Sequence, residues 1–147
     1  MRFSIKSNKS KDEIIQILKT NTSERKGLSY RKYDEYFNGT VKEDSFKIQR
    51  NINYKNSFLP VIIGTIKSSE NGTEINIKMR LNLFIKGFMI FWFTFVVLFC
   101  IITPFAQFDM PFCLIPYIML IAGVLLVTIP GRIERTIAKE KLEELLQ

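Results

Sequence analysis

The chain has 147 residues, a mean hydropathy of +0.09 and a formal net charge of +7. It contains no histidine, which excludes chemistry that needs an imidazole base, a histidine metal ligand or a histidine-ligated haem. The two cysteines, Cys100 and Cys113, stand in apolar surroundings with no second pair to complete a thiolate zinc site; they read as small hydrophobic residues, a bridge between them being the alternative, and no metal or cofactor is expected.

The first residues, MRFSIKSNKSKDE, hold no apolar stretch of signal-peptide type, so no cleavable leader is expected. Phe3 and Ile5 alternate with polar neighbours and predict a leading edge strand. Ser10-Lys11-Asp12-Glu13 has the form of a capping box, and Ile14, Ile15, Ile17 and Leu18 follow at helical spacing. A helix over about Lys11 to Thr20 is predicted. Next comes ERKGLSYRKYDEY, from Glu24 to Tyr36, basic and rich in tyrosine but interrupted by Glu24, Asp34 and Glu35. Nucleic-acid binding is therefore not expected of it.

After Gly27 the period changes to two. Tyr33, Phe37 and Val41 share one face of a strand, Lys42-Glu43-Asp44 makes a turn, and Phe46, Ile48, Ile52 and Tyr54 share one face of a second, long strand. Val61 to Lys67 forms a third. Beyond a turn at Ser68 to Gly72, Ile75, Ile77, Met79 and Leu81 alternate with Glu74, Asn76, Lys78 and Arg80 in a fourth. Of the four Asn-x-Ser/Thr sites, at Asn8, Asn21, Asn38 and Asn71, the two followed by glycine, Asn38-Gly39-Thr40 and Asn71-Gly72-Thr73, read as turn chemistry. The fold class predicted for residues 1–82 is α+β: a small antiparallel meander with one N-terminal helix. Arg50 is out of pattern, because it falls in phase with the apolar face of its strand. Such an arginine pairs with a carboxylate, lies at the sheet rim, or binds a phosphate or carboxylate ligand.

Between Gly87 and Pro130 there is no lysine or arginine, and Asp109 is the single acidic residue. A membrane span needs about 20 mainly apolar residues, and two fit here, over about 87–103 and 112–129, with Pro116 in the first turns of the second. Residues 104–111 suffice only to reverse direction, so residues 83–130 are predicted to form a transmembrane hairpin. Its aromatic residues, Trp92 among them, are ordinary for a lipid-facing helix. Lys78, Arg80 and Lys86 precede the first span and Arg132, Arg135, Lys139 and Lys141 follow the second; this bias predicts that both termini are cytoplasmic. Residues 131–147 carry Ile133, Ile137, Ala138, Leu142, Leu145 and Leu146 at helical spacing. They predict an amphipathic helix, separated from the second span by Pro130-Gly131, that lies on the membrane, docks on the β-domain or pairs with its own copy.

The stretch FKIQRNINYKNSFLPVIIGTI, then GTEINIKMRL, then the aromatic FMIFW resembles a group of small uncharacterised bacterial membrane proteins, in which a β-rich segment with an Asn-Ser-Phe-Leu-Pro run leads into a transmembrane pair. The resemblance covers residues 37–130, implies the bacterial inner membrane and carries no known activity. Members often have a His-Pro pair where this chain has Asn82-Leu83. A looser architectural similarity, to bacterial pleckstrin-homology-like domains on membrane hairpins, implies binding.

No glycine-rich phosphate loop, metal-ligand cluster or nucleophile with an identifiable base occurs in the sequence. The function read from it is a non-enzymatic binding or interaction module held at the inner leaflet, with Arg50, Lys78, Arg80 and Lys86 as candidate ligand- or lipid-binding residues. Its expected partners are membrane lipids and, since two helices bury little of each other, further copies or another membrane protein. The alternative is a small oligomeric effector or accessory subunit whose hairpin transmits a signal from the cytoplasmic domain.

Overall fold

Period-two alternation puts every second side chain on one face of a strand, and here five alternating runs supply one apolar face. In the computed structural model, which describes residues 1–24, 35–70, 72–106 and 111–147, the strands are β1 (Arg2–Ser7), β2 (Thr22–Glu24), β3 (Phe37–Val41), β4 (Ser45–Arg50), β5 (Val61–Ser69) and β6 (Gly72–Arg80). They form one sheet in the order β1-β6-β5-β4-β3-β2. Every neighbouring pair is antiparallel except β2 and β3. The protein is thus α+β, with a mostly antiparallel sheet and, among the described residues, three α-helices: α1 (Lys11–Thr20), α2 (Leu83–Ile102) and α3 (Ile115–Leu146).

Helix α1 begins at Ser10, whose hydroxyl accepts from the Glu13 amide while the Glu13 carboxylate accepts from the Ser10 amide at 2.7 Å. Its Ile14 and Leu18 are fully buried. They meet a core built from Ile5, Phe37, Phe46, Ile48, Ile62, Ile66, Ile75, Ile77 and Met79 of the sheet. The third contributor is the end of α3, where Ala138, Leu142 and Leu146 are equally buried. Burying a leucine side chain stabilises by roughly 1.5–3 kcal/mol, so this end of α3 belongs to the folding unit of residues 1–80.

Several expectations are corrected. The long second strand ends at Arg50, and Ile52 and Tyr54 lie outside any strand. Asn51 is the reason: its amide donates to the Tyr36 carbonyl and its side chain to the carbonyls of Glu35 and Phe37, which diverts the backbone from the β4–β5 ladder. Gly39 is within β3, opposite Ile48, and not in a turn. Its φ of +150° suits glycine, and a Cβ there would lie 2.2 Å from the Lys47 carbonyl oxygen, so the residue permits close approach of β3 and β4. Pro130-Gly131 does not break the chain: α3 runs through both. The proline removes one internal hydrogen bond, but the turns beyond it are held by Glu134, Ala138, Leu142 and Leu146, a buried stripe at four-residue spacing. Finally, α2 starts at Leu83 with Asn82 as its cap, so Lys86 lies inside the first turns of the helix and only Leu81 and Asn82 separate it from β6. Tyr33 and Asn71, assigned above to a strand and a turn, are outside the described residues, as are 25–34 of the basic tyrosine segment and 107–110.

The helices α2 and α3 are long and apolar enough to cross a membrane, and little of either apolar stretch is buried within the protein. They touch in the first half of α3: the Tyr117 hydroxyl donates to the Cys100 carbonyl at 2.9 Å, and Gly123 lies against Phe93 and Trp92. At about 1.5 Å per residue, α3 extends roughly 48 Å, more than the ~30 Å hydrocarbon thickness of a bilayer.

Candidate functional site

The four candidate residues part company on the two faces of the sheet. Arg50, at the end of β4, lies on the face covered by the helices, where its side chain is 12% exposed. Its guanidinium stands 2.8 Å from a carboxylate oxygen of Glu134, which is 2% exposed. The other oxygen of Glu134 accepts from the Asn56 amide at 3.1 Å and from the Tyr54 hydroxyl, and Tyr54 in turn accepts from Arg50 at 2.8 Å. Burial works against the charge of Arg50, but Tyr36 and Glu134 outweigh it and hold the guanidinium pKa above its ordinary value. The Tyr54 phenol is likewise raised, first by its hydrogen bond to Glu134 and then by desolvation. The acceptor that a buried arginine requires is thus supplied from within the chain, 84 residues away in sequence.

Lys78, Arg80 and Lys86 come together elsewhere. The β-pairing register places Lys78 opposite Ile63, whose other neighbour is Lys47, and Arg80 opposite Val61. Lys47 and Lys78 therefore flank one isoleucine on the open face, two strand spacings or about 10 Å apart at the backbone. Where β6 gives way to α2, these residues line a groove of about 830 Å³ together with Lys86 from α2 and Arg135 from α3. Its lining includes five cationic side chains and no carboxylate. Among the described residues none of the five is in an ion pair, whereas Lys11, Arg50, Lys139 and Lys141 each have a carboxylate partner. The polar neighbours Asn38, Gln49 and Asn82 are engaged, with Asn51, the Leu59 carbonyl and the Phe84 amide respectively. Leu81 and Leu83 complete the wall, and at this end Leu83 and Phe84 are 82% and 79% exposed.

Sequence reading missed Lys47, Arg135 and Glu134. Glu134 was open to detection, since a carboxylate in phase with Ala138, Leu142 and Leu146 is as anomalous as an arginine in phase with Phe46 and Ile48, and each anomaly answers the other. Lys47 and Arg135 left no such trace, because a lysine on a polar strand face is ordinary.

A second cavity, of about 500 Å³, lies between α2 and α3 against Phe91, Trp92, Phe95 and Phe99. Its polar groups are the Trp92 indole and the Thr103 hydroxyl, the latter donated to the Phe99 carbonyl, so it has little with which to orient a cofactor. No cluster of three or more potential metal-ligating His, Cys, Asp or Glu side chains occurs among the described residues. Compared with protein-family models, with curated proteins and with solved structures, the chain finds no match.

Proposed function

We propose that the chain is an integral protein of a bacterial inner membrane, in which α2 and α3 cross as a hairpin and hold a non-catalytic binding module against the cytoplasmic leaflet. The observation that carries this reading is the shared core. Residues from both sides of the apolar segments, Ile5 to Met79 on one hand and Ala138 to Leu146 on the other, pack into a single cluster. That packing supports a topology in which residues 1–80 and 138–146 share one side of the membrane, with an even number of crossings between them. Two helices of spanning length satisfy that condition, and the lysines and arginines beside them, Lys78, Arg80, Lys86, Arg132 and Arg135, favour the cytoplasmic side. Only two residues join β6 to α2, so the module has no tether with which to leave the headgroup region.

Each lysine or arginine close to an anionic surface contributes about 1 kcal/mol of attraction, and lipids are the partners this arrangement favours. One observation favours the alternative of an oligomeric effector: α3 is a single helix from the span to the core, so a tilt of the span would be felt by the sheet. Self-association through the exposed apolar faces of α2 and α3 is compatible with both readings.

Topology is the decisive test. In cells making a chain with Cys100 and Cys113 replaced by alanine, a membrane-impermeant thiol reagent applied from outside should label a cysteine placed at Gln107, between the spans. It should not label one at Ser45 or at Gln147. External labelling at Ser45 would overturn the reading.

A further inference from the structure

We infer that the groove at the β6–α2 junction is a binding site for a phosphomonoester, and that the phosphate is carried by an anionic lipid of the leaflet on which the module rests. The inference rests on the membrane reading above for the source of the ligand, but its chemistry comes from the groove itself. Lys47, Lys78, Arg80, Lys86 and Arg135 converge from two strands and two helices on one concavity without a carboxylate in its lining. Five like charges gathered this way repel one another, and although water and salt screen the repulsion, a multivalent anion seated among them would offset it at several side chains at once. The same register sets Arg2 directly opposite Lys78 on the neighbouring strand, which adds a like-charge pair.

Phosphate suits this set better than a carboxylate. A phosphomonoester carries between one and two negative charges near neutral pH, and arginine forks engage its oxygens in pairs. Helix α2 also begins here, and the partial positive charge of its first turn has the same sign as the side chains around it. A volume of about 830 Å³ falls within the usual range for ligand sites, roughly 300–1,000 Å³. An apolar part of the ligand would find Leu83 beside it, which lines the groove and is exposed at the point where the span begins. A phosphate among the cations with its acyl chains leaving past Leu83 and Phe84 uses both halves of the site. Arg135 gives the ligand a structural role too, since it brings α3 into the same contact as the sheet.

The test uses the full-length protein in a neutral detergent, titrated calorimetrically with dioctanoyl phosphatidic acid, dioctanoyl phosphatidylglycerol and glycerol 3-phosphate. Saturable binding of phosphatidic acid at one site per chain is expected, at least tenfold tighter than phosphatidylglycerol. Lys78→Gln with Arg80→Gln should weaken it tenfold or more, and Arg135→Gln alone should weaken it severalfold. Lys67→Gln, at the far end of the same face, should leave it unchanged, and thermal unfolding of each variant checks that the fold is kept. Glycerol 3-phosphate binding as tightly as phosphatidic acid would overturn the lipid source. Absence of binding, or equal loss in Lys67→Gln and the groove variants, would overturn the site while leaving the topology to stand or fall by thiol labelling.

Discussion

The two faces of the sheet treat positive charge in opposite ways. On the face under α1 and α3 the charged group in the core wall, Arg50, is answered by Glu134 with Tyr54 and Asn56. On the other face Lys47, Lys78 and Arg80 stand exposed beside Lys86 and Arg135, without ion pairs among the described residues. A folded chain must neutralise a cation it takes out of water; one that it leaves in water need not be neutralised, and is free to meet something else. The difference separates a residue that serves the fold from residues open to a ligand, although all of them look alike as basic residues in strands.

The comparison breaks most visibly if the covered face is not a dry core. Ile77, 2% exposed, packs there, and an unpaired carboxylate in its place should cost more than about 4 kcal/mol, a large share of the stability of a small domain. Ile77→Asp should therefore leave residues 1–80 open to protease at room temperature, while Asn76→Asp, one residue away and exposed, should resist protease like the parent. Equal damage by both would mean that the two faces do not differ.

The next effect concerns the internal pair. Glu134→Ala leaves Arg50 buried without its carboxylate and should destabilise by about 3–5 kcal/mol in chemical denaturation. Replacing both, as Arg50→Met with Glu134→Leu, should recover most of that loss, because the desolvation of two charges is removed together. If the single variant costs less than about 1 kcal/mol, Arg50 reaches solvent and belongs with the cations of the open face.

A smaller effect tests the cover itself. Ser10→Ala removes the hydroxyl that accepts from the Glu13 amide, and loss of such a cap costs about 1 kcal/mol. The hydrogen bonds from Ser10, backbone first, hold the Glu13 carboxyl below its ordinary pKa. Its contribution to stability is therefore present above the unfolded-state pKa of a glutamate and is lost as pH falls through the lowered folded value. Below that value the parent and Ser10→Ala should differ less than at neutral pH.

How much of this was legible follows from the range of the interactions. Capping box, alternation and apolar spans are local patterns, and α1, β1, the β3–β6 meander and the two long helices could be read from them. The extent of β4 could not, because Asn51 ends it with bonds to Glu35, Tyr36 and Phe37 that alternation does not encode. Nor could the passage of α3 through Pro130: local propensity predicts a break there, and burial of Leu142 and Leu146 against the sheet overrides it. Lys78, Arg80 and Lys86 stand out in the sequence because they crowd the start of a long apolar run. Lys47 and Arg135 join them only through β-pairing register and through the return of α3, neither of which is local.

The smallest expected effect has the opposite sign to the others. Lys78 faces Arg2 across β1 and β6 and shares the groove with four other cations. Directly opposed like charges destabilise a sheet by up to a few tenths of a kcal/mol or slightly more, so removing one should not weaken the fold. Lys78→Gln should change the unfolding free energy by no more than about 0.5 kcal/mol, and in the direction of greater stability at low ionic strength. Salt screens exposed charges beyond about 10 Å at 0.1 M and increasingly at shorter range as it is raised, so the gain should fade toward zero in 1 M salt. An equivalent loss, persisting in salt, would show that Lys78 has an internal partner as Arg50 does, and the contrast between the two faces would then fail at the residue on which it most depends.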